Sequence, residues 1–285
     1  MDCHFKCSAT GSYYPRTTTV TWKKDKMGLV QVPISHHQDS CNLAFDTGAN
    51  LSVITETSAR KLGMRIYPVK LDLASGISGQ VVQSSLAVAD SLYLGEILIK
   101  NAVFLLLPDE MLYFKRGNYH QQGIIGQPIM AQLKEIAIRQ DGRFEIPLHP
   151  SKSAFQNLAL DGLMPIAEFT VHKESLPFRF DTGAGSSVLY LPYFDRYKKN
   201  VIQHGRPHKL KSSGVGGTIT ETDAYAIRDF SISIANHVTK LPQIHVRTSS
   251  VGTEKDLFYG NLGLNALGQF STLTINFESM FIEVY

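Results

Sequence analysis

The tetrad Asp-Thr-Gly-Ala stands twice in this chain, at Asp46-Thr47-Gly48-Ala49 and at Asp181-Thr182-Gly183-Ala184. Each copy is preceded by Phe and followed by a Ser-Val-(Ile/Leu) segment. A given tripeptide turns up by chance at roughly one site in 10⁴, so a single Asp-Thr-Gly carries little weight. Two with the same flanks imply that a larger unit was duplicated. Other features recur at nearly the same offset. Ser75-Gly76-Ile77-Ser78-Gly79 follows the first tetrad and Ser213-Gly214-Val215-Gly216-Gly217 the second, and Gly123-Ile124-Ile125-Gly126 is echoed by Gly260-Asn261-Leu262-Gly263. Each half closes on a segment of alternating polarity, Glu135 to Arg139 and Thr272 to Asn276, then a turn and a last apolar stretch. The chain reads as two similar lobes.

Composition narrows the function classes. With 285 residues, 43% of them hydrophobic, each half can bury a substantial core. The net charge of +3 comes from scattered Lys and Arg, which excludes the concentrated basic face of a nucleic-acid binder. The longest apolar run, Ala102 to Leu107, is far short of the ~18 residues that cross a bilayer, so no membrane span is expected. Met1 to Val20 is mostly polar and lacks the apolar stretch of a secretory signal. Cys3, Cys7 and Cys41 are too few for a disulfide framework, although Cys3 and Cys7 can pair in an oxidising compartment. His204 and His208 stand four apart, but Gly205 and Pro207 between them argue against a helical metal face, and His36-His37 point to opposite sides of an extended chain. No metal and no organic cofactor is expected.

The local pattern predicts an all-β architecture with a few short helices. Strands are expected over Val30 to Ile34 and Asn42 to Phe45 before the first tetrad, and over Phe169 to His172 and Pro177 to Phe180 before the second. Val81 to Ala89, Leu92 to Ile99 and Ala102 to Leu107 are rich in β-branched and apolar residues, as strands are. One helix is expected after Thr55, ending before Gly63; a second over Pro192 to Lys199; a third over Pro128 to Leu133. The Pro- and Ser-bearing stretch from Pro147 to Gly162 reads as the boundary, which divides the chain into an N-terminal extension (1–28), a first lobe (29–147), a linker (148–162) and a second lobe (163–285).

An Asp at the end of an apolar strand, followed at once by Thr and Gly, implies a tight turn that presents a carboxylate to a cleft. Two such turns related by internal symmetry bring Asp46 and Asp181 face to face. Like charges that close do not both ionise easily, so the pair shares a proton and titrates as a unit. One carboxylate then serves as base toward a water while the other donates a proton to a carbonyl.

At these residues the sequence resembles the aspartic peptidases, specifically the retropepsin-like branch, whose motif is Asp-Thr-Gly-Ala. The resemblance covers roughly residues 42–146 and 177–283. It implies a bilobal acid-protease fold of two pseudo-symmetric β-barrel lobes, catalytic Asp46 and Asp181, and turn support from Thr47, Gly48, Ala49, Thr182, Gly183 and Ala184. It further implies that Thr47 and Thr182 bond across the lobe interface, that Ile125-Gly126 and Leu262-Gly263 pack behind the dyad, and that glycine-rich flaps cover the substrate. The flap residues are then Gly76, Ile77, Ser78 and Gly79 in the first lobe, and Gly214, Val215, Gly216 and Gly217 in the second. Asn261 is a departure, since the family pattern has an apolar residue there. Both motifs lie in one polypeptide, so a monomer that is an intramolecular pseudo-dimer is expected, acting on an extended polypeptide. Family habit favours an extracytoplasmic location, periplasmic or secreted.

Two other readings compete. A duplicated β protein can keep its turns for folding alone, as a catalytically silent peptide-binding protein. Paired carboxylates also hydrolyse glycosidic bonds, but such sites usually add aromatic sugar platforms, and Trp22, the one tryptophan, lies outside both repeats.

Overall fold

The computed structural model describes residues 2–5, 17–74, 81–115, 117–215, 219–251 and 257–285. Its fold is all-β with two lobes, a closed six-strand barrel and few short helices. Alternation of side chains drives the strands. In Asp39–Phe45 the residues Cys41, Leu43 and Phe45 turn inward, and in Glu174–Phe180 Leu176, Phe178 and Phe180 do the same.

The duplication read from the sequence is also a duplication of pairing. In the first half Asp39–Phe45 runs parallel to Gly123–Ile125, with Ala44 opposite Ile124 and Phe45 opposite Ile125. In the second half Glu174–Phe180 runs parallel to Gly260–Leu262, with Arg179 opposite Asn261 and Phe180 opposite Leu262. The next partner is antiparallel in both halves, Val53–Thr55 in one and Val188–Leu189 in the other. The strand after that is parallel again, Ile97–Leu107 beside Val53–Thr55 and His237–Arg247 beside Val188–Leu189. These pairings belong to a nine-stranded sheet in the first half and an eight-stranded sheet in the second.

A third sheet of five strands joins the halves. Glu135–Arg139 from the first half pairs antiparallel with Thr272–Asn276 from the second, placing Ile136 opposite Ile275. All five residues of Thr272–Asn276 are buried, as a strand covered on both faces must be. Thr17–Thr21 forms the outer strand against Arg143–Pro147. Trp22, next in the chain, is buried and its Nε1 donates to the Arg139 carbonyl at 2.8 Å, fastening the segment to the joint. Glu135 is buried here as well, accepting from Asn276 Nδ2 at 2.7 Å and from Ser151 N at 2.6 Å.

The three expected helices are present. Glu56–Lys61 starts at Thr55, whose side chain accepts from Ser58 N, and stops where Gly63 takes a φ of 61°. Gln127–Leu133 carries a Pro in its first turn. The helix over Leu191–His204 kinks at Tyr197, where φ is −113°, and its second piece runs beyond Lys199, because Val201 in its last turn is fully buried and holds that turn against the core. Within the stretch read as a linker, Leu158–Asp161 forms a strand that pairs back on Met164–Val171. No helix among the described residues is long and apolar enough to cross a membrane.

Candidate active site

Each tetrad leaves the end of a strand and turns at once. Asp46 N donates to the Ile125 carbonyl at 3.1 Å and Ala49 N to the Asp46 carbonyl at 3.1 Å; Asp181 N donates to Leu262 O at 3.0 Å and Ala184 N to Asp181 O at 3.3 Å. The Asp side chain closes the turn on itself. Gly48 N donates to Asp46 Oδ1 at 2.8 Å, and Gly183 N to Asp181 Oδ1 at 2.9 Å. Strand end and turn thus leave each carboxyl one way to point, toward the other lobe.

The two turns meet through their threonines, both wholly buried. Thr47 N donates to Thr182 Oγ1 at 3.0 Å, and Thr182 N to Thr47 Oγ1 at 2.9 Å. Each hydroxyl in turn donates a hydrogen bond across, Thr47 Oγ1 to Phe180 O at 2.8 Å and Thr182 Oγ1 to Phe45 O at 2.7 Å. Four hydrogen bonds therefore cross the lobe interface beneath the aspartates.

Above that floor the carboxyl groups of Asp46 and Asp181 lie within hydrogen-bonding reach of each other. Burial, then the charge of Asp181, then the hydrogen bond between them hold the Asp46 carboxyl well above the usual carboxylate range, against smaller opposing contributions from Gly48 and Gly183 N–H groups. By surface exposure Asp46 is only half-buried, so it is desolvated by its surroundings yet open on the cleft side. The absence of side chains at Gly48 and Gly183 makes the approach possible. A methyl carbon on Gly48 would stand 2.6 Å from Asp181 Oδ1, and one on Gly183 would overlap the Asp46 carboxyl.

Behind the turns, Gly126 and Gly263 repeat the same economy of space. A methyl on Gly126 would stand 2.6 Å from the Leu51 carbonyl, and one on Gly263 2.5 Å from the Ala184 carbonyl. Ser52 and Ser187 were not singled out by motif reasoning, yet they cap these glycines: Gly126 N donates to Ser52 Oγ and Gly263 N to Ser187 Oγ, both at 3.0 Å. Their signal was present as the Ser that follows each tetrad at the same distance. Ile125 and Leu262 are buried at the parallel pairings beside Phe45 and Phe180. Ala49 and Ala184 offer no hydroxyl to the dyad.

Asn261, the departure from the pattern, breaks the symmetry. Its Nδ2 donates to Asp181 Oδ2 at 2.8 Å, where the first lobe has Ile124. Asp46 receives no such side-chain donor among the described residues. Both carboxyl groups accept backbone N–H groups of the turns, but the side-chain donor falls on Asp181 and the raised carboxyl on Asp46.

Of the residues read as flaps, Gly76, Ile77, Ser78, Gly79, Gly216 and Gly217 lie outside the described residues. The strands that lead to and from them pair antiparallel, Arg65–Ala74 with Val81–Leu94 and Arg206–Ser213 with Ile219–Ile234. Gly214 and Val215 are described. Val215 packs against the other lobe, on a cluster of Ala44, Leu107, Leu112 and Ile124 that also includes Ala49 of the first tetrad. Among the described residues no group of three or more His, Cys, Asp or Glu side chains could hold a metal ion.

No curated protein matches the chain. Over residues 31–129, a stretch that holds the first tetrad and Ile125-Gly126, the chain matches the family model of aspartyl proteases, which supports an aspartic peptidase family and protease-type function for it.

Proposed function

We propose that the protein is an aspartic endopeptidase in which Asp46 and Asp181 activate one water against a peptide bond. The observation that carries this reading is the apposition of the two carboxyl groups over the reciprocal threonine bonds. A buried pair of acids costs stability, and a fold that holds one rigidly in an open cleft is best accounted for by chemistry that uses it.

The asymmetry of donors assigns the roles. Asp181, with Gly183 N and Asn261 Nδ2 on its two oxygens, is the carboxylate that takes a proton from the water. Asp46, whose carboxyl is held in its protonated form, gives its proton to the substrate carbonyl oxygen as the water oxygen bonds to the carbonyl carbon. The tetrahedral diol collapses when the amide nitrogen takes the proton now on Asp181 and a diol hydroxyl returns its proton to Asp46, which breaks the C–N bond, releases acid and amine and restores the dyad. The substrate lies extended between the lobes, with backbone hydrogen bonds setting its register. The packing of Val215 on the first lobe supports a covering role over the substrate for Gly214 and Val215 of the second. One chain supplies both acids, so the active unit is a monomer, its lobes at 29–147 and 163–285.

Incubation with a diverse peptide library over a range of pH tests the reading. Internal cleavage is the expected result; tight association without products favours the silent binding protein. The rate is expected to peak in mildly acidic solution, because Asp46 keeps its proton above the usual carboxylate range and neither Ala49 nor Ala184 supplies the hydroxyl that would favour the ionised dyad. Activity is lost on the basic side as Asp46 gives up that proton. A profile that peaks below pH ~3 contradicts this assignment.

A further inference from the structure

The two lobes place the same register row beside their aspartates and fill it with opposite chemistry. In the first lobe Ala44, Ile124, Val53 and Leu105 stand side by side across four strands, and Leu107 follows two residues beyond Leu105. The same four pairings in the second lobe give Arg179, Asn261, Val188 and His245, with Arg247 two residues beyond. Directly opposed residues share a face of a sheet, and so do residues two apart on one strand. Asp46 is two residues past Ala44, and Asp181 two past Arg179, so each row shares the face of its carboxylate. The bond from Asn261 to Asp181 fixes that face directly.

The first row closes on itself as an apolar cluster of Ala44, Leu107 and Ile124 with Leu112. The second does not close. Arg179 Nε, both ring nitrogens of His208 and Nδ1 of His245 are buried without a hydrogen-bond partner. Arg179 makes no ion pair among the described residues. His208 belongs to this face because it pairs with Ala224, which pairs with Arg247, and its ring lies 4.7 Å from that of His245. The Arg247 guanidinium is stacked 4.0 Å from the centre of the Tyr190 ring, which fixes its charge in place. Asp223 and Glu221 alternate to the opposite face, where they pair with Lys209 and Lys211. Buried polar groups left unpaired cost stability, and the Arg179 and imidazole N–H donors among them, gathered on the face of Asp181, call for an acceptor that arrives with the ligand.

We propose that the second lobe's half of the cleft is an anion subsite that seats a carboxylate side chain of the substrate, while the first lobe's half takes an apolar side chain. Arg179 is the main ligand of that carboxylate, with His245 and Arg247 beside it. The preferred cleavage point therefore lies between an apolar residue and a glutamate or aspartate. This inference rests on the peptidase reading for its consequence but not for its test.

The test uses the full chain and pairs of uncleavable reduced-amide peptides that differ only in Glu or Gln beside the reduced bond, in both orders with Leu. Titration calorimetry is expected to give tighter binding of the Glu member, in one of the two orders, by about 10- to 100-fold. Arg179→Leu, which puts an apolar side chain where the first lobe has Ala44, brings the ratio close to one, and Arg179→Lys keeps part of it. The ratio is read within each variant, so a general loss of folded protein cancels, and Arg247→Leu serves if Arg179→Leu does not fold. Equal affinity of the pair for the parent chain, a ratio that persists in both Leu variants, or binding of neither peptide overturns the proposal. A Glu preference in binding, with no cleavage of the matching ordinary peptides, leaves the subsite standing and overturns the peptidase reading instead.

Discussion

Asp46→Asn is expected to lower kcat by roughly 10⁴-fold or more, the scale seen when one member of a catalytic unit is removed, and at the same time to make the protein more stable near neutral pH. The two effects have one origin. The Asp46 carboxyl is raised in the folded state by burial and by Asp181, so between its unfolded pKa and its raised folded value the folded protein holds a proton that the unfolded chain has released. Stability then falls as pH rises through that window, with a slope of up to about 1.4 kcal/mol per pH unit for one proton. Below the unfolded value the penalty is absent, and above the folded value it is fully present. Asparagine carries no charge to bury. Thermal unfolding of parent and variant at several pH values should therefore diverge only above the ordinary carboxylate range, with the variant ahead. Asp181→Asn should remove activity to a similar extent, because the acids act as a unit. Retained turnover in either variant would falsify the shared dyad, and a variant less stable than the parent at neutral pH would show that the pair is held by something stronger than its repulsion.

Thr182→Val should carry the largest cost in stability. The change keeps shape but removes the hydroxyl that accepts from Thr47 N and donates to Phe45 O. Both of those groups lie in the wholly buried floor and neither has water to turn to. At about 1–3 kcal/mol for each buried group left unpaired, the expected loss is about 2–6 kcal/mol in denaturant unfolding. Thr182→Ser retains the hydroxyl and should recover most of it. The same Val variant is expected to lose activity out of proportion to its folded fraction, since the floor sets how the carboxyls approach. Equal stabilities for Val and Ser at this position would mean that the methyl, not the hydrogen bonds, holds the turns together.

How much of this was legible in the sequence follows from what kind of information each feature needs. The all-β fold was legible because strand alternation is local, as in Leu176, Phe178 and Phe180 turning inward. The approach of Asp46 to Asp181 was legible because a duplicated turn implies a symmetry axis, and glycine at 48 and 183 removes the side chains that would block it. The length of the helix from Leu191 was not, because Val201 extends it through burial that only the neighbouring strands provide. Nor was the edge strand Thr17–Thr21, whose partner lies at Arg143–Pro147, far along the chain. The row of Arg179, Asn261 and His245 is the instructive case. Each residue is unremarkable in its own segment, and their common face exists only once the parallel pairings fix the register.

The five-stranded sheet that both halves share has a consequence for how a polypeptide is read. An assembly of two identical subunits offers a bound chain the same surroundings in either direction. Here one half is bonded to the other through Glu135–Arg139 and Thr272–Asn276, so neither has to match a copy of itself, and the surroundings left and right of the two aspartates are free to drift apart. On the proposed peptidase reading, a chain entering head first and one entering tail first would meet different walls, a sense of N-to-C direction that a symmetric pair lacks.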